Sequence, residues 1–394
     1  MRILYITLED LSLHKGSVVH VKEVIAGLKK RGHQIGLIAR ASSKSVDTYT
    51  FYNIHYSSFL PLKFLGPKRK LYFISAVWLF IYLFKVLSRY DVIYVREFPA
   101  SVIAFLPRVI FKKKLIFEMN GLASEEQKLK RHSTDNGILS FFIQQGEKIA
   151  TKCSDRIISV TPQIANYLVQ HFHCQPDKVK VVSNGVNTKK FFPIDDKNLL
   201  AQFRDRLDVG EGEILIVFIG NLAPWQGIEY LIQVAPFLLK ETKNVRFLII
   251  GEGVLKNNLE MSVRELGLSD YFIFTGMVDY EQIPLYINIA DICILPKRHL
   301  KSGYSPIKLY EYMACGKPVI SSKAEGLEFI EEEEIGRVID PENTISFMEV
   351  LLDLIRDRKK RETMGERALF VARKKFDWEI KIIEIEKILN GMLA

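Results

Sequence analysis

The sequence predicts an α/β protein built from two doubly wound parallel-sheet domains. Short apolar runs of strand length alternate with amphipathic helical stretches, an order that implies parallel sheets covered on both faces. This alternation pauses around residues 186–208 and then restarts. The length of 394 residues also exceeds one ordinary hydrophobic core and suits two domains of similar size.

Arg2–Thr7 reads as the first strand. His20–Arg31 carries Val21, Val24, Ile25 and Leu28 at helical spacing, and Gly32 ends that helix. Gln34–Ala39, Asp91–Val95, Lys114–Phe117 and Arg156–Val160 are further strands with helical stretches between them. In the second half Ile214–Ile219 runs into Gly220 and Val245–Ile250 into Gly251; Tyr271–Phe274, Ile292–Leu295 and Pro318–Ile320 follow. Phe192–Asp196 reads as loop at the boundary. Phe376–Leu393 reads as a helix with Trp378, Ile380, Ile383, Ile385, Ile388 and Leu389 as its apolar positions. The expected domains are 1–190 and 191–375, with 376–394 packing back on the first.

Apolar content of 48% and charged content of 26% are those of a folded globular chain. Cys153, Cys174, Cys293 and Cys315 are not spaced as zinc ligands and read as reduced thiols of a cytoplasmic protein. Met1–Thr7 is too short for the apolar region of a secretory signal. The net charge of +9 is unevenly spread: residues 1–190 hold 29 Lys/Arg against 13 Asp/Glu, and residues 191–394 hold 26 against 33. A basic first half is attracted to anionic lipid or a phosphorylated substrate, although any single lysine reads as a solvated helix residue. Leu71–Phe84 is free of charge between Lys68-Arg69-Lys70 and Lys85. A span needs ~20 apolar residues, so this segment reads as a buried or interfacial helix. Phe111–Lys114 adds basic and apolar surface nearby. The lysines form no nucleic-acid-binding motif and are not interleaved with aromatics, which argues against a nucleic-acid partner.

The chemistry-bearing segments lie where strands end. In Gly220–Gly227 a strand ends in glycine, a polar loop follows and a helix starts, the place where phosphate meets helix N-terminal amides. Gly251-Glu252-Gly253 repeats the arrangement after the next strand and reads equally as a plain turn. Ser305–Ile320 reads as a helix opened by Pro306, closed by Gly316 and followed by a strand. Glu311, about one turn inside, is placed to accept hydrogen bonds from a ribose diol, or else is a surface carboxylate. Asn184-Gly185 reads as a turn needing positive φ.

Taken together these segments resemble the retaining glycosyltransferases of family 4, of GT-B architecture, nearly end to end. Val181–Asn187 with Phe191 resembles the family's "PNGVD…F" segment. Phe218–Gly220 with Pro224–Gly227 resembles its donor loop, Phe274–Gly276 and Ala290-Asp291 its "ftG" and "AD" elements, and Glu311–Val319 its "EAMAcGkPVv". Gly16, His20 and Gly32-His33 resemble the N-terminal "GG…H…GH" pattern. The resemblance implies two Rossmann-like domains facing a central cleft, the first holding the acceptor and the second the nucleotide-sugar.

The departures fall on the donor loop. The family's Arg and Lys at the diphosphate correspond to Asn221 and Gln226, and the first of its paired glutamates falls on Gly303. Charge-assisted hydrogen bonds are about twice as strong as neutral ones. Lys308, with Pro306 and Ile307, is therefore expected to compensate, with Lys301 and Arg298 as further candidates. A branch that transfers sugars to lipid-linked or capsular acceptors carries a similar "SPiKlyEYMA" form.

By resemblance the donor contacts are Gly16, Gly220, Asn221, Gln226, Gly227, Gly251, Val278, Pro306, Ile307, Lys308, Leu309 and Glu311, with the base near Gly276–Val278. The catalytic candidates are Glu118, Asn120, which falls where many members carry a histidine, and His20, which reads equally as a packing residue. The implied reaction is retaining transfer of a hexosyl or N-acetylhexosaminyl group, from a UDP-sugar in preference to a GDP-sugar. The implied acceptor is a glycan or a polyprenyl-diphosphate-linked sugar in cell-surface polysaccharide biosynthesis. No Asp-x-Asp motif is present, so fixed N–H groups and cations are expected in place of a metal, with no other cofactor. The chain is expected in the cytoplasm, peripheral at the inner face of the cell membrane through its basic half. The rival readings are a nucleotide-sugar 2-epimerase of the same architecture and an inactive nucleotide-sugar or glycan-binding homologue.

Overall fold

The computed structural model describes residues 1–11, 13, 15–40, 56–58, 68–125, 137–298, 300 and 302–393. They form two compact units, Met1–Ser183 with Trp378–Ala394, and Asn184–Asp377. This division corrects the expected one at both ends of the second domain. Residues 184–190 belong to the second unit, where the Asn184 amide donates to Ser305 Oγ at 2.9 Å, the Val186 amide to the Phe376 carbonyl at 2.8 Å, and the Thr188 hydroxyl to Asp377. Gly185 is not among the described glycines with positive φ, so the expected left-handed turn is absent there and Asn184 is a tether instead.

The first unit holds β1 (Arg2–Asp10), β2 (Gln34–Arg40), β3 (Tyr56–Ser58), β4 (Val92–Val95), β5 (Lys114–Met119), β6 (Arg156–Ser159) and β7 (Val179–Val181). They form one parallel sheet in the order β3-β2-β1-β4-β5-β6-β7. The second unit holds β8 (Ile214–Ile219), β9 (Val245–Ile250), β10 (Phe272–Gly276), β11 (Ile292–Leu295), β12 (Val319–Ser322) and β13 (Gly336–Ile339). Their order is β10-β9-β8-β11-β12-β13, again all parallel. In each sheet the chain winds outward from one central strand, then returns to that strand's other side. The switch point therefore falls between β1 and β4 in the first sheet and between β8 and β11 in the second.

The central strands are those the apolar runs predict, because a strand covered on both faces needs β-branched and aromatic side chains on both. Three strands have no counterpart in that reading: β3, β7 and β13. All three are short edge strands, and β7 and β13 carry Lys180 and Arg337 within them, so the continuous apolar run is missing.

In the helix Lys68–Val86, Leu79 and Leu83 are buried while Ile81 points to solvent. Among the described residues no helix is long and apolar enough to cross a membrane. All four cysteines are free and buried.

The helix Trp378–Leu393 starts two residues later than expected and belongs to the first unit. Trp378, Ile382, Ile385, Leu389 and Met392 join Val21, Val24, Ile25 and Leu28 in one core. Ile382 replaces the expected Ile383, which is exposed. Ile382 sits so close over the helix Gly16–Lys30 that a Cβ on Gly27 would lie 2.4 Å from its Cγ1. His33 Nε2 lies 2.8 Å from Glu386 Oε1 on the same C-terminal helix. Replacing Ile382 with Ala leaves a cavity at this contact, and a loss of about 3 kcal/mol is expected. Chemical denaturation followed by hydrogen exchange in helix Gly16–Lys30 measures it, and an unchanged exchange rate there would contradict the packing.

Candidate functional site

In the first unit the three catalytic candidates come together on one carboxylate. Glu118 lies in β5, beside the switch point, with its side chain buried. Its Oε1 lies 2.7 Å from His20 Nε2, accepts from Asn120 Nδ2 at 2.7 Å, and stands 3.6 Å from Arg96 Nε. Its Oε2 accepts from the Tyr94 hydroxyl. Burial alone would raise this carboxyl, but the charge and hydrogen bond of His20, Arg96 and the Tyr94 hydroxyl outweigh it and lower the pKa to about 2. Burial, reinforced by Glu118, pushes the Tyr94 hydroxyl well above its ordinary value, so Tyr94 remains a donor.

Glu118 is therefore a fixed anion that orients its neighbours. His20 also meets the Trp378 ring edge-on at 5.2 Å. It is a buried, packed histidine in the second turn of its helix rather than an exposed one. Asn120 is half-buried just beyond β5. Gly16 is the exposed first residue of the helix Gly16–Lys30, one turn before His20.

The second unit gathers the donor-loop residues at the C-terminal ends of its strands. Gly220 follows β8 and Gly251 follows β9; their amides donate to the carbonyls of Ile250 and Gly276, each at 2.8 Å, and so are already engaged. Gly227 has φ +71° and begins the helix Ile228–Glu241, and a Cβ there would lie 1.7 Å from the Pro296 carbonyl oxygen. That contact pins the donor loop to the residues following β11, across the switch point. Asn221 is exposed and Gln226 is buried.

Lys308 stands in the first turn of the helix Ile307–Ala314, which has Pro306 as its N-cap and no side-chain cap. Its Nζ donates to Gln226 Oε1 at 2.9 Å and lies 3.9 Å above the Phe218 ring. A Cβ on Gly220 would lie 2.5 Å from that Nζ. Lys308 thus brings its amino group to Gln226, the position at which the family resemblance expects a lysine. Leu309 is buried and its amide donates to the Pro306 carbonyl at 3.0 Å, so it offers no N–H to a ligand in this arrangement.

Glu311, one turn on, is buried, and its Oε1 accepts from the Tyr280 hydroxyl at 2.7 Å. It is not the solvated surface carboxylate of the alternative reading. Val278 lies half-buried in the same loop as Tyr280. Gly303 has φ +63°, a conformation that a glutamate at this backbone geometry would adopt only under strain. Arg298 is committed elsewhere, with its Nε 3.0 Å from Glu229 Oε1. Lys301 lies outside the described residues.

Sequence reasoning missed Lys297 and Tyr280. Lys297 comes two residues after β11 and is buried, with its Nζ 4.1 Å over the Tyr304 ring. Burial pulls its pKa down to about 7. Burial and then repulsion from Lys297 pull Lys308 well below its ordinary value, against the attraction of Glu311. Two buried lysines of depressed pKa therefore lie at the switch point of the second sheet, close enough for the charge of Lys297 to act on Lys308. Such a place suits an anion carrying more than one charge.

Comparison with known proteins accords with this architecture. Residues 14–190 match the family model described as Glycosyltransferase Family 4, and residues 201–369 match that described as Glycosyl transferases group 1. An uncharacterized glycosyltransferase of Methanocaldococcus jannaschii is 27% identical over 96% of both chains. Sucrose-phosphate synthase from Thermosynechococcus elongatus superposes with a TM-score of 0.84 at 18% identity, covering 100% of this chain and 99% of that one. The Anabaena protein HepE in complex with UDP-glucose gives a TM-score of 0.75 at 18% identity, covering 99% of this chain and 100% of that one. The fold is GT-B, with two Rossmann-like domains. The chain is a glycosyltransferase of the family 4 type.

The Glu118 cluster makes a pH prediction. The folded pKa of about 2 lies below the ordinary value of 4.5, so the stabilisation is fully present above pH 4.5 and is lost as pH falls toward 2. Glu118→Gln is expected to cost about 3 kcal/mol at pH 7 and to flatten the stability profile between those two pH values. Urea unfolding across that range measures it; a Gln variant with the wild-type acid limb would contradict the assignment.

Proposed function

We propose that this enzyme transfers a sugar from a UDP-sugar to a glycan or polyprenyl-diphosphate-linked acceptor with retention of anomeric configuration. The observation that carries the donor side is the pair of buried ammonium groups, Lys297 and Lys308, at the β8/β11 switch point. A diphosphate placed there compensates both. The N-terminus of the helix Ile307–Ala314, without a side-chain cap, adds its dipole and the amides of Ile307 and Lys308. Glu311 takes the ribose hydroxyls beside Tyr280. The complex of HepE with UDP-glucose supports uridine as the nucleotide.

In the reaction the acceptor oxygen forms its bond to the anomeric carbon on the face from which the UDP oxygen departs. The acceptor proton passes to the β-phosphate of the leaving UDP. Lys297 and Lys308 stabilise the charge that grows on the diphosphate, which is the task a metal performs in other transferases, so the proposed reaction needs none. In the first unit Glu118 acts as a positioning residue for Asn120 and His20. The acceptor associates with this basic unit, and the protein works in cell-surface polysaccharide biosynthesis from the cytoplasmic side, in peripheral contact with the inner face of the membrane.

Calorimetry against UDP-, GDP- and ADP-sugars tests the donor reading. Selective binding of UDP-sugars is expected, weakened roughly a hundredfold in Lys308→Met and in Glu311→Ala. Equal binding of all three nucleotides, or full affinity in both variants, would overturn it. With an accepted substrate in hand, NMR of the product's anomeric proton reports retention or inversion.

A further inference from the structure

We propose that the outer face of three helices of the first unit, Lys68–Val86, Phe98–Ile110 and Gly137–Cys153, is the surface that docks on an anionic lipid bilayer, seating large apolar side chains at the headgroup–acyl boundary. This deepens the proposed membrane contact and rests on that part of the reading alone.

The helix Phe98–Ile110 lies between the other two. Its inward face is made of small or compact residues, Ala100, Ser101, Ala104 and Pro107. Its outward face carries Val102, Phe105, Leu106, Val109 and Ile110, at the spacing of one helical stripe, with Leu106 50% and Ile110 55% exposed. A helix that only covers a sheet turns such a stripe inward, so this one is inverted. The flanking helices also carry exposed apolar side chains. Ile81 is 64% exposed on one side, and Phe141 and Phe142 are 55% and 65% exposed on the other. Helices Phe98–Ile110 and Gly137–Cys153 approach closely where a Cβ on Gly146 would lie 2.6 Å from the Phe98 ring. Exposed apolar surface of this extent marks an interaction site.

Charge selects the occupant. The three helices contain one carboxylate, Glu147, and it is buried, accepting from the Ala123 amide at 2.7 Å and from Ser124 Oγ at 2.9 Å. Around the patch Lys85, Lys112, Lys114 and Lys152 are exposed at or just beyond the helices' C-terminal ends. An apolar face with a mainly cationic rim, in which the partly exposed Asp155 is paired with Arg108, complements anionic headgroups over a hydrocarbon boundary. A second copy of the chain meeting this face would bring two cationic rims together. Because none of these helices is long enough to span, the contact is shallow.

The experiment is sedimentation of the full chain with phosphatidylcholine vesicles, with and without phosphatidylglycerol, at low and high salt. Binding to the anionic vesicles is expected, and part of it persists at high salt because the apolar seat is not screened. The paired variants Leu106→Gln/Ile110→Gln and Phe141→Gln/Phe142→Gln, all at exposed positions, are each expected to bind roughly tenfold more weakly. They are expected to keep wild-type melting and UDP-sugar affinity. Wild-type protein that ignores anionic vesicles would sink the membrane contact itself. Variants that bind as well as wild type would place the contact elsewhere on the basic unit and overturn this surface. A wild-type dimer that the variants convert to monomer would make the face a self-association surface and overturn it too. Loss of UDP-sugar binding with vesicle binding intact would count against the donor reading alone.

Discussion

Burying two lysines near one another disfavours their charged forms, and the second unit holds such a pair in Lys297 and Lys308. Burial removes water from both amino groups, and the charge of Lys297 lowers the Lys308 pKa further. Cation–π contacts with Tyr304 and Phe218 and one hydrogen bond to Gln226 return only part of that cost. The surrounding structure maintains the arrangement: Gly227 locks the donor loop against Pro296, next to Lys297, and Gly220 leaves room for the Lys308 ammonium. In the proposed reading an incoming diphosphate offsets this cost by drawing the two lysines into their charged forms, which then stabilise the departing diphosphate.

The first unit solves the corresponding problem at its own switch point in the opposite way. There one buried anion, Glu118, is surrounded by His20, Arg96, Asn120 and Tyr94, and the group is closed on itself. A carboxylate held by several partners in this way fixes side-chain orientation more readily than it transfers protons. A carboxyl with a pKa near 2 is a poor proton acceptor at neutral pH. The difference between the two units is consistent with the proposed division, anion binding in the second and positioning in the first.

Much of the fold was legible because central parallel strands require continuous apolar runs, as in Ile214–Ile219 and Val245–Ile250. The edge strands β3, β7 and β13 escaped because one of their sides has no neighbour to satisfy and their residues need not be uniformly apolar. The convergence of Glu118, Asn120 and His20 was reachable from motif position, but their mutual hydrogen bonding was not, since β5 and the first helix are far apart in sequence. Lys297 was invisible for a different reason. A lysine shortly after a strand reads as solvated charge, and its burial depends on Tyr304 and the packed donor loop. The outward stripe of Phe98–Ile110 shows the limit of periodicity, which reveals an apolar face without saying which way it points.

The central claim, that two buried lysines await a diphosphate, is tested most directly by calorimetry of UDP binding in buffers of different ionisation enthalpy near pH 8. With a pKa of about 7, Lys297 is mostly neutral there in the free protein. A bound diphosphate raises that pKa, so binding takes up a proton and weakens as pH rises above about 7. Because Lys308 is also depressed, the account predicts an uptake of about one proton or more per UDP, diminished in Lys297→Met. Heats that do not depend on the buffer, or an uptake unchanged in Lys297→Met, would contradict it.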